Sequence, residues 1–274
     1  MLCDAVLPWH QAHRALLRLV LDEGRKTDTT VSIPATSLSM RPANAADHRP
    51  PRPGADWRIG VYEGLAAVAG VQYPRIMNEL GALSDFWDGG ASHGAYGPRL
   101  RPLLPQLSDQ LWLHPASRRH VASIWRPEDL LGAHGECSVK DTPCTLALVF
   151  KQNEMTAIMR SQDLWWGMTY DVPMFSIIHA SMAAAAHTTP GNLHILCADS
   201  HVYHKHTSAA VDYACAKPAY VPAGPPLWCA SHGEPWHAQR ANAELALDMI
   251  DQGATQHNDL LPPWLNEAVA TWHD

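Results

Sequence analysis

The sequence has no apolar run long enough to cross a bilayer. The best candidate, residues 175–186, is short and contains His179. The N-terminus also lacks a basic segment followed by an apolar stretch, which is the pattern that begins a secretory signal peptide. We therefore expect a cytoplasmic protein that does not associate with membranes.

Basic residues are too few for a general nucleic-acid surface. The chain has 20 Lys and Arg against 27 Asp and Glu, which gives a formal net charge of −7 with its 17 histidines counted as neutral. A protein that coats nucleic acid needs a basic face. This composition argues against such a role and still allows a local basic pocket for one phosphate group.

The six cysteines contain no C-x-x-C pair, which makes a redox motif or a zinc ribbon a poor interpretation. An even number of cysteines could form disulfides, but a chain without a signal peptide is expected to keep free thiols in a reducing cytosol. These cysteines are Cys3, Cys137, Cys144, Cys197, Cys215 and Cys229.

The hydrophobic share of 46% in 274 residues predicts one α+β domain over 1–274, with a strand-rich centre. No internal repeat or low-complexity linker divides the chain. Periodicity predicts helices at 9–23, 58–70, 73–86, after Pro173 and at 241–252, and strands at 29–33, 120–125, 145–150, 154–160 and 192–198. The segments 41–56 and 89–105 are expected to be loops.

Cys144 is the candidate nucleophile, and it follows Pro143. Sixteen residues later comes Arg160, the first residue of an Arg-Ser-x-Asp segment that continues with Ser161 and Asp163. A thiolate near a guanidinium can attack an electrophilic ring carbon of a substrate that carries a phosphate. The alternative is a buried strand cysteine beside ordinary strand-end polar residues.

Further polar residues extend this series on both sides. They are Arg118 and Arg119 before the cysteine, and Gly167, Asp171, His201 and Tyr203 after the Arg-Ser-x-Asp segment. The arginines could instead form surface ion pairs. His201, His204 and His206 could instead bind a metal for a hydrolase, although ligands so close together on an extended segment can hardly all face one ion.

The order and spacing of these residues resemble the thymidylate synthase family. The resemblance is specific over residues 117–206, faint over 9–100, and absent from about 207 onward. It implies a thymidylate synthase-like α+β fold, with a mixed β-sheet packed against helices, and a homodimer in which two sheets face each other. It also implies that the partners are a pyrimidine nucleoside monophosphate and a folate.

The resemblance implies a role for each motif residue. Cys144 adds to C6 of a pyrimidine, which turns C5 into a carbon nucleophile. The substrate phosphate is bound by Arg160, Ser161 and, across the dimer interface, by the partner's copies of Arg118 and Arg119. Asp163 contacts the pyrimidine edge, and the sugar 3′-hydroxyl is held by His201 and Tyr203.

The N-terminal half supplies weaker matches. Glu63 falls where the family keeps a proton-relaying glutamate, with a solvated helix residue as the alternative. Trp87 and Tyr96 match a cofactor-side tryptophan and a nearby substrate-side tyrosine, although both could be core aromatics. Gly167 is expected on the cofactor side. Arg25 or Lys26 could replace the arginine of the family's N-terminal loop, whose glycine is missing here.

Asp171 occupies the position where thymidylate synthases carry the asparagine that reads uracil. A carboxyl group can accept from the 4-amino group of cytosine and, when protonated, can donate to N3. This substitution resembles the deoxycytidylate hydroxymethylase branch, as does Thr145 directly after Cys144. The alternative is a helix cap before Pro173.

The resemblance implies that 5,10-methylenetetrahydrofolate is the co-substrate of C5 hydroxymethylation of dCMP or CMP. Hydride in place of water would give a methyltransferase forming 5-methyl-dCMP, or dTMP from dUMP. A non-catalytic nucleotide- or RNA-binding relative is a further alternative. The enzyme would act in the host cytoplasm if a phage encodes it.

Overall fold

The computed structural model describes residues 6–43, 52–72, 92–130, 141–217 and 233–272. Trp87 and the expected helix at 73–86 lie outside these ranges. The described strands are β1 (Leu7–Pro8), β2 (Arg25–Lys26), β3 (Thr30–Arg41), β4 (Val121–Ser123), β5 (Thr145–Lys151), β6 (Glu154–Met159), β7 (Gln162–Asp163) and β8 (Leu193–Tyr203).

The described helices begin with α1 (Trp9–Glu23), α2 (Trp57–Ala69), α3 (Tyr96–Leu100) and α4 (Leu104–Leu113). They continue with α5 (Gly167–Ala185), α6 (Thr207–Cys215), α7 (Trp236–Asp251) and α8 (Pro263–Ala270). Short 3-10 turns occupy Pro127–Asp129 and His204–His206.

The strands form one mixed sheet in the order β1-β3-β8-β6-β5-β4, with β2 paired to β3 and β7 paired to β8. β8 pairs antiparallel with β3 and parallel with β6. The β5–β6 hairpin and the β4–β5 pair are antiparallel. The expected α+β architecture with a mixed sheet is thereby confirmed, and the single domain over 1–274 stays a prediction.

The two faces of the sheet differ in burial. One row across β3, β8, β6, β5 and β4 is buried in every strand, and it consists of Leu38, Ile195, Ala157, Leu148 and Ala122. Helices α1 and α5 pack on the sheet at this level. The neighbouring row alternates to the other face and keeps exposed surface in every strand; it consists of Ser37, Leu196, Ile158, Ala147 and Ser123.

Helix α5 is the buried centre of the helical layer, and it packs closely against α2. At Gly60 a Cβ atom would lie 2.7 Å from the Tyr170 carbonyl oxygen and 3.1 Å from Pro173 Cβ, so only glycine permits this approach. The expectation that the helix begins after Pro173 is wrong. It begins at Gly167, and Pro173 lies inside it.

Three other sequence expectations are confirmed, two of them with adjusted bounds. α1 occupies 9–23 as expected, and the hairpin turns at residues 152–153. β8 was expected to end at 198 and instead continues through Tyr203, because β3 supplies paired backbone along that length. The expectation of a loop over 89–105 is wrong, since α3 and the start of α4 lie within it. No helix in the described part of the chain has the length and apolarity needed to span a membrane.

Candidate active site

Most of the residues singled out in the sequence lie at one end of the sheet. Cys144 directly precedes β5, and Arg160 directly follows β6. Asp163 lies in β7, while His201 and Tyr203 lie at the end of β8. Because β6, β7 and β8 are parallel and β5 runs opposite to them, these positions meet at the same end of the sheet.

Cys144 is partly buried and unpaired with another cysteine. Its carbonyl oxygen accepts from the Arg160 backbone N–H at 2.9 Å, which fixes the two residues side by side. Burial raises the pKa of the Cys144 thiol to about 11, although the Arg160 charge opposes this and Asp171 adds to it. The free protein therefore holds Cys144 as a thiol at neutral pH, and its attack requires proton removal.

The Arg160 side chain is anchored to the segment that precedes the cysteine. Its Nε donates to the Pro143 carbonyl oxygen at 2.9 Å, and one Nη donates to the Thr142 carbonyl oxygen at 3.1 Å. The residue is exposed, and its guanidinium carbon lies 5.6 Å from the Trp125 ring centre. This anchoring orients the guanidinium and leaves donors for an anion at the surface.

Asp171 lies in the second turn of α5, so the alternative of a helix cap before Pro173 is wrong. Its Oδ2 accepts from Gln162 Nε2 at 2.7 Å. Burial raises the pKa of the Asp171 carboxyl to about 7, which the Gln162 hydrogen bond counteracts and the Asp163 charge reinforces. The carboxyl can therefore be neutral or ionised near neutral pH, which suits a group that both donates and accepts.

Gln162 is the site residue that sequence reasoning missed. It is 2% exposed, and among the described residues no donor lies within hydrogen-bonding distance of its Oε1. A Cβ added to Gly167 would lie 3.0 Å from Gln162 Nε2 and 3.3 Å from Asp171 Oδ2, so the absence of a side chain there gives their contact its space. The only sequence signal was an amide at the x position of Arg-Ser-x-Asp.

Ser161 and Asp163 have partners within the protein. Ser161 Oγ lies 3.4 Å from His201 Nδ1. Asp163 Oδ1 accepts from the backbone N–H groups of Trp165 at 2.8 Å and Trp166 at 3.3 Å. Asp163 thus stabilises the turn into α5, which is the structural alternative for a polar residue at the end of a strand.

His201 and Tyr203 lie on β8 with rings 5.2 Å apart at nearly right angles. His201 is 8% exposed and its Nδ1 lies 3.3 Å from Asp199 Oδ2, whereas Tyr203 is 39% exposed. The pair therefore combines a held imidazole with an accessible phenol, a combination that can bind a hydroxyl group.

The three clustered histidines turn to different partners. His204 Nε2 lies 2.9 Å from the Thr27 carbonyl oxygen, and His206 Nε2 accepts from Trp166 Nε1 at 3.0 Å. Within the ranges that the structure describes, no group of three or more His, Cys, Asp or Glu side chains is placed to hold a metal ion. The geometry thus separates His201 from His204 and His206.

Tyr96 and Glu63 approach the site from the helical side. The Tyr96 hydroxyl donates to Thr145 Oγ1 at 2.9 Å and accepts from the Thr145 backbone N–H at 3.3 Å. Burial raises the Tyr96 pKa well above its usual value, with further contributions from Asp171 and Cys144. Glu63 is a partly buried α2 residue, and its charge adds to the burial that raises the pKa of Tyr170.

Four cationic candidates are less directly placed. Arg118 and Arg119 are exposed before β4, whose partner β5 runs roughly 20 Å from that end to Cys144. Arg25 and Lys26 form β2, and Arg25 pairs with Ser32, which in turn pairs with His201. One chain therefore does not bring Arg118 or Arg119 to its own Cys144, whereas Arg25 lies two strands from the site.

Comparison with known proteins was consistent with the motif order. A family model described as thymidylate synthase matches residues 94–230. The chain is 25% identical over 123 residues to a putative bifunctional dihydrofolate reductase-thymidylate synthase of Oryza sativa subsp. japonica, covering 43% of this chain and 24% of that protein. It is 23% identical over 192 residues to a bifunctional dihydrofolate reductase-thymidylate synthase of Zea mays, covering 56% of this chain and 35% of that protein.

The chain thus spans about a quarter to a third of the length of these curated relatives. The family model covers half of the chain, and it contains the whole series from Tyr96 through Cys144 and Asp171 to Tyr203. An α+β fold with a mixed sheet packed by helices carries that series. The chain belongs to the thymidylate synthase family.

Proposed function

We propose that this protein transfers a one-carbon unit from 5,10-methylenetetrahydrofolate to C5 of a cytosine nucleotide, with dCMP as the first choice, and that water completes the reaction to give the 5-hydroxymethylcytosine nucleotide. The carrying observation is the convergence of Cys144, Arg160 and Asp171 at one edge of the sheet. A nucleophile, an anion ligand and a base-reading carboxyl are the three groups that this chemistry requires.

Each residue has a distinct part in the proposed reaction. Arg160 and Ser161 bind the 5′-phosphate, and His201 with Tyr203 holds the sugar 3′-hydroxyl. Cys144 Sγ adds to C6 while Asp171 binds the N3 and 4-amino edge. Because the Cys144 pKa is about 11, the S–H bond must break as the S–C6 bond forms, and Arg160 stabilises the developing thiolate. The thiol proton passes to solvent, and the electron pair of the C5=C6 double bond shifts into the ring.

The folate supplies the one-carbon unit when bound, while the chain supplies placement. Trp166 lies beside the site and is 40% exposed, and the Arg52 guanidinium covers one face of its ring with its carbon 4.5 Å from the ring centre. Gly167, directly after it, leaves the approach to Asp171 open. These features fit an aromatic pteridine lying against the start of α5.

A cytosine substrate is favoured over uracil by the chemistry of Asp171. A carboxyl with a pKa of about 7 is substantially neutral at neutral pH. Its neutral form complements cytosine when the proton lies on the oxygen that faces N3, since it then donates to N3 and accepts from the 4-amino group. A buried polar edge left unpaired disfavours the wrong base.

A homodimer is part of this proposal. The uncovered face of the sheet carries Leu196 and Val121, which are 43% and 45% exposed, beside partly buried Ile158. Pairing this face with a second copy would cover apolar surface. Such pairing offers the partner's Arg118 and Arg119 a route to the site that their own chain does not provide.

The deciding experiment is incubation with dCMP, CMP or dUMP and methylenetetrahydrofolate, followed by product mass measurement. A gain of CH₂O on dCMP or CMP supports hydroxymethylation, whereas a gain of CH₂ means methylation and contradicts water as the terminal reactant. Turnover of dUMP alone would contradict the role of Asp171. C144A should lose product formation and tritium release from C5, whereas C215A, a change at an exposed cysteine in α6, should retain both.

Shared sites can be tested by mixing variants. C144A and a chain carrying R118M and R119M should each be inactive alone. If the arginines act in trans, mixed dimers regain one intact site, and about a quarter of the activity is expected after random exchange. Absence of recovery in dimers shown to have exchanged would contradict the shared site.

A further inference from the structure

Asp171 alone leaves the choice of base ambiguous. A neutral carboxyl can carry its proton on either oxygen. With the proton on the oxygen that faces N3, it matches cytosine. With the proton on the oxygen that faces the C4 substituent, it donates to O4 and accepts from N3–H, which matches uracil. Something must fix the proton if the site is to discriminate.

Gln162 contacts one of the two carboxyl oxygens. Its Nε2 donates to Asp171 Oδ2 at 2.7 Å, whereas its second hydrogen bond, to the Asp163 carbonyl oxygen, is long at 3.4 Å. A proton on Oδ2 would point toward the same space as the Gln162 N–H. The hydrogen bond therefore occupies one of the two lone-pair directions of Oδ2 and favours Oδ1 as the place for the carboxyl proton.

We propose that Gln162 is the positioning residue that makes Asp171 specific for cytosine. In this proposal its N–H favours Oδ2 as the acceptor that faces the 4-amino group, and the carboxyl proton lies on Oδ1, which faces N3. The inference rests on the proposed function, since it assumes that Asp171 reads the base. It adds a residue that acts on specificity through Asp171 without touching the substrate.

The burial of Gln162 also argues that this contact serves more than folding. Its Oε1 is buried and, among the described residues, has no hydrogen-bond donor. A buried acceptor without a partner destabilises the folded state. An apolar side chain of similar length would remove this penalty, so a glutamine here is better explained by its N–H than by stability.

The hydrogen bond from Gln162 also affects the ionisation of Asp171. The ionisable groups that influence or respond to its charge come from several elements: Asp163 in β7, Cys197 in β8, Tyr96 in α3, and Cys144 before β5. Each of these four groups is neutral when protonated and negative when deprotonated, so none of them carries a positive charge. The hydrogen bond from Gln162 lowers the Asp171 pKa. Its removal should therefore raise that pKa further.

The test uses binary binding of dCMP and dUMP to the whole chain, measured by calorimetry without folate. In Q162M the preference for dCMP over dUMP should fall about tenfold, which corresponds to one lost hydrogen bond to a carboxyl. The pH above which dCMP binding weakens should move upward by about one unit relative to wild type. Since the substrate phosphate titrates identically in both experiments, it does not cause this difference.

The second arm places the same change in a D171N background. An amide has a fixed donor and acceptor, so D171N combined with Q162M should bind both nucleotides within about twofold of D171N alone. Q239M is the matched control, because Gln239 is also buried but lies in α7 with its amide directed to the Glu234 carbonyl oxygen. It should keep the wild-type preference.

The outcomes separate this inference from the function on which it rests. A purely structural Gln162 predicts a lower melting temperature in Q162M with an unchanged nucleotide preference, and that result would overturn the inference alone. An equal loss in the D171N background would overturn it too, because the effect would then not pass through Asp171. Wild-type protein that binds neither nucleotide, or prefers dUMP, would contradict the proposed function itself.

Discussion

Asp129 is buried and Asp171 is partly buried, and these two aspartates have opposite surroundings. Asp129 is 6% exposed and receives two hydrogen bonds from Arg99, at 2.6 and 2.8 Å. His93 Nε2 lies 2.7 Å away, and the Arg126 backbone N–H donates at 2.8 Å. Burial alone would raise the Asp129 pKa, but these donors lower it to about 2.

Asp171 receives one neutral amide from Gln162 and lies near a second carboxylate, Asp163, so burial dominates and its pKa rises to about 7. The same side chain is thus fully paired at one place and left short of partners at another. Asp129 joins the α3 region to the 3-10 turn after β4, whereas Asp171 lies where a ligand is expected. Asp129 therefore has the hydrogen-bond partners of a structural carboxylate, whereas the raised pKa of Asp171 is typical of a residue in a functional site.

The largest effect is expected from breaking the paired cluster. D129N leaves the Arg99 guanidinium, 3% exposed, without its counter-charge. Removal of one partner of a buried ion pair typically destabilises by about 3–5 kcal/mol. Denaturant unfolding should show a loss of that size at pH 7, with an unchanged m-value.

The control for this change is D259N, because Asp259 is almost fully exposed although its carboxylate lies 3.2 Å from His257. Exposed ion pairs contribute little. Unfolding midpoints that fall equally in D129N and D259N would break the distinction between a structural carboxylate and an ordinary surface one.

Much of the fold follows from local sequence pattern. Leu and Val at helical spacing end at Gly24, as α1 does, and two apolar runs separated by three residues form the β5–β6 hairpin. Local pattern does not predict the start of α5, because a proline is typical of the first turn of a helix. Here Pro173 lies inside the helix, which packs against α2 along this length. Local sequence pattern predicts that a helix or strand is present and which of the two it is, whereas packing against neighbouring elements determines how long it is.

The site divides in the same way. Cys144 and Asp171 could be singled out because their motif order resembles a known family. The Gln162–Asp171 and Arg99–Asp129 contacts could not, since residue type alone does not reveal which side chains meet across 9 or 30 positions. Burial, which raises the Asp171 pKa and opposes the lowering of the Asp129 pKa, is likewise a property of the assembled layers.

The second prediction is a stabilising change, D171N, whereas D129N is expected to destabilise the folded protein. The folded pKa of Asp171, about 7, exceeds its unfolded value of about 4, so ionising it in the folded state becomes costly as pH rises between those values. D171N abolishes this ionisation. It should increase the free energy of unfolding at pH 8 by at most about 4 kcal/mol, measured by urea denaturation.

The pH dependence supplies the control for D171N. The stability gain should shrink as pH falls below about 7 and disappear near pH 3, where Asp171 is protonated in the folded protein and mostly protonated when unfolded. A gain that does not vary with pH would mean that packing, and not buried charge, distinguishes the two side chains.

Acid provides a third, smaller difference. The folded pKa of Asp129, about 2, lies below its unfolded value, so its stabilising contribution is present above about pH 4 and is lost as pH falls toward 2. That contribution is about 2 kcal/mol. The stability difference between wild type and D129N should therefore narrow by about this amount between pH 5 and pH 2, as followed by acid and urea titration. A constant difference would place the effect in geometry alone.

The smallest expected effect concerns backbone strain near the site. Ala35 on β3 has φ of 53°, between Pro34 and Thr36, which pair with Asp199 and Cys197. Its side chain is exposed, so A35G removes the left-handed penalty without losing buried surface. Glycine's greater freedom when unfolded offsets part of this, leaving a gain of at most about 1 kcal/mol.

The matched change for A35G is A157G, in regular β6 backbone where Ala157 is fully buried. It should lose about 1 kcal/mol or more, because strand glycine is entropically costly and the methyl contact disappears. If A35G raises the free energy of unfolding and A157G lowers it, the backbone, like the two aspartates, differs between a relaxed position and a strained one. The sheet backbone would then be relaxed at Ala157, which supports the core, and strained at Ala35, beside Asp199 and Cys197. Equal losses in both variants would confine the contrast to charge.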